Sequence, residues 1–528
     1  MAIRATHWIL AGTLALLTAC GGGGGGDRAA GVDPGPPPPG GSVPPPEPEV
    51  PAPSPTAYAE AEELVAFITS VDIPEDGKPV IDWQLTDGDG VAILDMGLRD
   101  VRFSLAKLQA SPLGNLTGTW QSYINRIRDP DPDEGPGTEP RLQATYERDA
   151  GEFTNNNDGT YRYKFELSVT ELPEDILDQA ATESLDLSYE PGRTHRMAMQ
   201  FSNSEGWANP IYDWVPATGE TESIFNMDIA ATENCNTCHD PLRYHGSGRR
   251  EVEYCVVCHN PGSTDPSTTN TVDMKVMIHK IHMGAELPSV QAGGSYIIDG
   301  NDYSGLVYPQ DIRNCENCHA GSRSGAGRDD LTLTAQGDNW AEYSTRATCG
   351  SCHDLLDFDE HAGGQPDDSN CASCHSVGGQ AGSIEESHAI FEQEAREAYT
   401  TEIVSVTDTG PGEFPVVNLR VFNPLTGEDY DIFNDPVWTQ SRSRLRVQLA
   451  WSTTDITNTG NQQDDANAVR LDVLGDGEVN GDGSYRVVSE VPIPDGSLPP
   501  GVAATGSGVA VTEGRARLPD PEDPEDQV

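Results

Sequence analysis

Five short segments share one pattern: two cysteines separated by two residues, with a histidine directly after. They are CNTCH at 235–239, CVVCH at 255–259, CENCH at 315–319, CGSCH at 349–353 and CASCH at 371–375. This spacing brings two thiols to one edge of a flat ring and lets the adjacent imidazole reach a metal at its centre. It is the attachment pattern of a c-type haem, with two thioether bonds and a proximal histidine on the iron. Cys235, Cys238, Cys255, Cys258, Cys315, Cys318, Cys349, Cys352, Cys371 and Cys374 are therefore the candidate attachment residues, ten of the eleven cysteines. His239, His259, His319, His353 and His375 are the candidate proximal ligands. A zinc site would need tetrahedral groups of four ligands and no fixed unit of this kind.

The other histidines sharpen this reading. Of twelve in the chain, His7 is near the start and His195 lies upstream, while five more fall in the motif region: His245, His279, His282, His361 and His388. Five irons thus have five candidate sixth ligands, and bis-histidine ligation throughout is the simplest expectation. His279 and His282 are three apart on one helical face and could serve two adjacent haems. His195 is a spare that could replace any of the five. Met274, Met277 and Met283 are alternative axial ligands, although methionine at such spacing also fills cores. Iron held by two imidazoles has no open position, which points to electron transfer and away from small-molecule activation.

The motifs need elements to hold them. About 150 residues for five haems leaves little room for a conventional core, so the cofactors must be close-packed. Motif spacings of 20, 60, 34 and 22 residues disfavour a tandem repeat and favour one compact module. The fold class expected is multidomain, with two β-rich domains of split-barrel or Greek-key type flanking a pentahaem module of loops and short helices. In the first β region a helix is expected at 59–71, and strands at 79–83, 91–98, 101–105, 161–167 and 195–201. Surface loops are expected at 294–305 and a helix carrying His388 at 383–399. Strands are expected again at 403–406, 416–422, 444–451 and 485–491, with a closing strand within 506–518. The turn DGDG at 87–90 is either a plain turn or a calcium site, though the EF-hand pattern is missing.

The chain opens with one early arginine, a short apolar run and small residues, as a secretory leader does, and the run is too short to span a bilayer. Leu17-Thr18-Ala19-Cys20 resembles a bacterial lipobox, which would make Cys20 a lipidated residue and the protein a membrane-anchored one. Runs of glycine and proline follow, with the composition of an extended tether. The expected organisation is 1–19 signal peptide, 20–58 lipidated cysteine and tether, 59–225 N-terminal β domain, 226–395 pentahaem domain, 396–518 C-terminal β domain and 519–528 acidic tail. With 85 acidic against 32 basic side chains, the formal charge is −53. Such a field repels nucleic acid and attracts cations, oxidised metals and basic redox partners.

Taken together, CNTCHDPLRYHGSGRREVEYCVVCHNPG at 235–262 and MIHKIHMG at 277–284 resemble the OmcA/MtrC family of multihaem outer-membrane cytochromes. FSLAKLQ at 103–109, THRMAMQF at 194–201, YDWVPATG at 212–219 and RLRVQLAWSTTDITNTG at 444–460 extend the resemblance. It implies a cell-surface outer-membrane lipoprotein with five covalently bound c-type haems. Respiratory electrons would pass to metal oxides, chelated iron or flavins, with other multihaem cytochromes and a porin-cytochrome complex as partners. It also implies that His245, His279 and His282 occupy distal-ligand positions. Typical members alternate two β domains with two pentahaem modules, whereas this sequence resembles the first half plus the second β domain. No cysteine follows Cys374, so the disulfide frequent in the second β domain of members is absent. Two other functions compete: a non-terminal conduit or docking protein linking cytochromes, and a multihaem enzyme acting on nitrogen or sulfur compounds. The last would show a deficit of histidines, and none is seen.

Overall fold

A computed structural model describes residues 54–111, 114–324, 330–362, 364–390, 399–424, 426–451, 469–497 and 503–517. The leader, Cys20, most of the tether and the acidic tail lie outside the described residues.

The first β region folds as two sheets. Val65–Asp72 pairs with Val80–Thr86, which pairs with Thr160–Lys164, which pairs with Glu152–Asn155, all antiparallel. In the second sheet Val101–Ser111 is central, between Gly114–Ser122 and His195–Ser202, and the latter strand also takes Trp207–Ala208 and Ile211–Trp214. Between the sheets lies an aromatic core in which Trp83 stacks on Tyr161 at 5.6 Å and Phe103 on Tyr163 at 4.3 Å between ring centres.

His195–Ser202 is buried on both faces, and alternation along the strand divides its work. Met197, Met199 and Phe201 enter the aromatic core. Ala198 packs with Trp120, Met227, Tyr254 and Val257 on the opposite face, where the helix Val252–Cys258 lies across the sheet. Arg196 shares that face and crosses to the same helix, pairing with Asp213 at 2.7 Å and donating to the Glu253 carbonyl at 3.1 Å. The second CxxCH motif is thus mounted directly on the sheet.

Residues 230–390 hold short helices joined by loops: Thr232–Asn236, Val252–Cys258, Met274–Met283, Arg346–Cys352, Cys371–Cys374 and Ile384–Ser387 among them. Beyond them the β pattern returns. Thr400–Thr407, Val416–Phe422, Tyr485–Val488 and Glu478–Val479 form one sheet, and Val469–Asp472, Arg444–Trp451 and Gly508–Arg515 another. Arg444–Trp451 alternates strictly, with Leu445, Val447, Leu449 and Trp451 in the core. The two β regions repeat one design. Each opens with an eight-residue strand, bulged at Ile68/Ser70 in the first and Ile403/Ser405 in the second. Strand order in every sheet is an open path, and the described ladders trace no closed barrel.

Several expectations need correction. Residues 59–71 form no α-helix: a 3-10 turn at Tyr58–Glu60 leads into the strand Val65–Asp72. The bulge turns both Ile68 and Val71 inward, and their three-residue separation imitates helical spacing. The 91–98 run is held by isolated bridges at Ala92 and Ile93, not by a strand. The 294–305 segment contains a small hairpin, Ile297–Ile298 with Asn301–Asp302, turned by Asp299 and Gly300 at positive φ. The helix expected at 383–399 is described only as Ile384–Ser387, opened by a Ser383–Glu386 capping box, and 391–398 lie outside the described residues.

Candidate functional site

Each CxxCH motif closes one helical turn. The amide of the histidine donates to the carbonyl of the first cysteine in all five, at 2.9 Å for His239, 2.8 Å for His259 and 2.9 Å for His319, His353 and His375. Residues four apart share a helical face, so the first thiol and the imidazole project together.

Every motif histidine faces one other histidine. Ring centres are 6.1 Å apart for His239 and His282, 5.8 Å for His259 and His245, and 6.0 Å for His319 and His279. They are 6.1 Å apart for His353 and His388 and also for His375 and His361. A metal–nitrogen bond of about 2 Å on each side, plus the radii of two rings, gives roughly 6 Å between imidazole centres. The five separations therefore fit one iron between each pair.

The outer nitrogens support the same use. Nδ1 donates to a main-chain carbonyl at 3.0 Å in His259 (Val272), 3.0 Å in His282 (Ile278) and 2.9 Å in His388 (Ile384). Longer contacts of 3.4 Å join His319 to Ile229 and His361 to Ala362. A carbonyl can only accept, so hydrogen sits on Nδ1 and the Nε2 lone pair is left for a metal. Burial foremost holds His259 and His279 down at about 4, which keeps both in the neutral, ligating form. Apolar side chains close in sequence to the motif histidines and Tyr308 lie open, including Val307 at 76%, Leu355 at 62% and Val377 at 78% exposure. The donor set and its cradle fit haem.

The helix Met274–Met283 is the spacer of the group. His279 and His282 leave its one face toward the third and first motifs, its first amide donates to the His259 carbonyl, and Lys280 pairs with Asp354 at 2.9 Å beside the fourth. Burial foremost raises Cys235, Cys255 and Cys315 to about 12, and each also feels a thiol of another motif: Cys318, Cys235 and Cys352 respectively. Cys349 is raised likewise by burial and then by Cys371. Hydrogen bonds tie the second motif's helix to the first (Val252 amide to Thr232 Oγ1, 2.9 Å), the first to the third (Asn234 Nδ2 to the Cys318 carbonyl, 3.3 Å) and the fourth to the fifth (Arg346 amide to Asp368 Oδ1, 2.9 Å).

His195 is not among the facing pairs. It is buried between the first two sheets, Nε2 sits 2.9 Å from the Tyr123 hydroxyl, and Nδ1 donates to the Arg193 carbonyl at 2.9 Å. Met277 is buried, and Met283 packs beside Leu287 and Tyr296, as core methionines do. The DGDG turn closes on itself: Asp87 accepts from the amides of Asp89 and Val91 and from the Thr56 hydroxyl. No three His, Cys, Asp or Glu side chains converge to hold a metal ion among the described residues. Tyr308, edge-on to His282 at 5.3 Å, and Arg249 belong to the site but carry no motif; the paired basic residues in GSGRREVEYC are the one signal for the latter.

Residues 65–221 match the family model of the OmcA-like N-terminal domain, and residues 227–389 that of the outer membrane cytochrome MtrC/MtrF-like domains II/IV. A curated relative, multiheme cytochrome MtrC of Shewanella baltica (strain OS185), is 26% identical over 328 residues, 60% of this chain and 41% of the relative. The chain thus spans about two-fifths of the length of that relative. Among solved structures, the outer membrane decaheme cytochrome OmcA aligns with a TM-score of 0.57 at 21% identity, covering 83% of this chain and 65% of that one. MtrC from Shewanella baltica OS185 aligns with a TM-score of 0.51 at 19% identity, covering 86% and 70%. At these identities the structural likeness speaks for the fold.

Proposed function

Because this chain belongs to the OmcA/MtrC family of outer-membrane multihaem c-type cytochromes, we propose that it is a surface electron-transfer protein delivering respiratory electrons to metal oxides, chelated iron or flavins. The observation that carries the reading is the pairing of all five motif histidines with five others at 5.8 to 6.1 Å. Cys235 and Cys238, Cys255 and Cys258, Cys315 and Cys318, Cys349 and Cys352, and Cys371 and Cys374 would each anchor one haem. Bound haem supplies a one-electron ferric/ferrous couple at each site. The chain's own part is to hold two neutral imidazoles on each metal, to fix the tautomers of His259, His282 and His388 through main-chain carbonyls and to keep neighbouring motifs in contact.

The organisation into an N-terminal β domain, a pentahaem domain and a C-terminal β domain, each β domain a split barrel of two sheets, is part of this reading, supported by the repeated bulged opening strand. So are lipidation at Cys20, location at the cell surface and docking on a porin-cytochrome complex or other multihaem cytochromes, supported by the family relationship. Stopped-flow reoxidation of the reduced holoprotein by ferric citrate, flavin mononucleotide and iron oxide tests delivery. At least one acceptor should reoxidise it faster than it reoxidises free haem; three rates no faster than that control reject the terminal role.

A further inference from the structure

Arg249 stands where the sheet, the second motif and its facing histidine meet. Its Nε donates to Gln200 Oε1 at 2.9 Å, and its guanidinium lies 5.4 Å from the centre of the Tyr146 ring and 5.6 Å from that of Tyr254. Tyr254 immediately precedes Cys255, and Tyr146 follows Thr145, whose carbonyl is 3.8 Å from Cys258 Sγ. Its main chain pairs with Tyr244, at 3.0 and 3.4 Å, closing the loop that presents His245 to His259. Lys107 is matched by Glu190 at 2.8 Å, Arg196 by Asp213 at 2.7 Å and Lys280 by Asp354 at 2.9 Å, whereas half-buried Arg102, over the same Tyr146 ring, and Arg250, over Trp207, add unmatched positive charge beside Arg249 among the described residues. Arg249 has aromatic faces and an amide oxygen instead, and no ion pair among the described residues. Charges at the other motifs are acidic or of both signs, with Glu253 and Glu233 at Cys235, Glu316 at Cys315, Asp354 and Lys280 at Cys352, and Asp368 and Arg346 at Cys371, while Glu251 as well as Arg249 stands at Cys255.

We propose that Arg249 is a tuning residue, whose uncompensated charge holds the iron carried by Cys255, Cys258, His259 and His245 at a more positive reduction potential than that site would otherwise have. The proposal rests on the haem reading above. Reduction there adds one electron to a ferric site, breaks no bond and moves no proton, so the site's charge falls by one unit. A fixed cation nearby favours the reduced form, and the buried Tyr254 and Gln200 against it limit screening on that side.

Redox titration of the intact holoprotein, followed optically and by EPR, tests this with three variants. Arg249→Gln removes the charge and should move one of the one-electron steps to more negative potential, lowering the reduced fraction at that site several-fold at fixed applied potential, with low-spin signals and haem content intact. Arg249→Lys keeps the charge and should titrate close to the native protein. Gln200→Glu places a carboxylate against Nε and should move the same step negative, which decides the matter even where Arg249→Gln does not fold. Unmoved steps in both Arg249→Gln and Gln200→Glu overturn the proposal, as does a Lys variant shifted as far as the Gln variant, which would trace the effect to packing. A native protein lacking the full haem complement would instead reject the underlying reading.

Discussion

An imidazole that gives its Nδ1 hydrogen to a main-chain carbonyl has one nitrogen left to offer, and His259, His282 and His388 are all fixed that way. The pairing makes a residue-level prediction. His282→Ala should open the iron at His239 alone, so the reduced variant should bind one carbon monoxide per chain while the native protein binds none; uptake of none, or of several, by the variant contradicts the assignment. His195 makes a different one. Burial foremost lowers it to about 4 from 6.5, so the folded chain keeps it neutral where the unfolded chain protonates it. Stability from this residue is complete above about pH 6.5 and is lost as pH falls toward 4, on the order of 3 kcal/mol in all. The difference in unfolding free energy between native protein and His195→Gln should shrink across that window, and a constant difference rules the mechanism out. The five CxxCH motifs were legible because their spacing is fixed along the chain, and the five further histidines because they fall in the same region. Which histidine faces which motif was not, since His245 reaches His259 by a left-handed loop and His388 reaches His353 from a separate helix. Nor could spacing exclude His195, whose burial arises from sheet pairing.

At the level of elements, the ten-residue helix Met274–Met283 sets the relation between motifs, because two of its side chains leave one face toward the histidines of different motifs. Its end is fixed by Gly284, at φ 43°, where an added Cβ would lie 2.4 Å from the Leu306 carbonyl oxygen. Gly284→Ala should therefore cost about 2 kcal/mol and disturb the first and third haems together; chemical denaturation with haem spectroscopy measures both, and an unchanged midpoint contradicts the steric argument. The core between the first two sheets depends on Trp83, fully buried and stacked on Tyr161. Trp83→Ala should cost about 3–5 kcal/mol, and a loss under 1 kcal/mol would show that the site repacks. Strands with clean alternation, such as Arg444–Trp451, were plain in the sequence. Val65–Asp72 was not, because a bulge shifts its inward residues out of period, and the 91–98 run was not, because apolar residues can enter a core without a ladder.

For the whole molecule, 85 acidic against 32 basic side chains mean that partners arrive under a strongly negative field. Electron exchange with a basic redox protein should slow as ionic strength rises from about 0.01 M to about 0.15 M and the Debye length falls from about 30 Å to about 8 Å; acceleration with salt would contradict a steering role. The alternation of strand-rich, short-helix and strand-rich regions followed from composition and pattern, but the order of motifs in space depends on contacts that no spacing records. All of it depends on five irons each closed by two imidazoles. Low-temperature EPR with near-infrared magnetic circular dichroism on the holoprotein measures that state directly. Five low-spin bis-histidine ferric haems are the expected result, and a substantial high-spin component, or a charge-transfer band of methionine ligation, would contradict it.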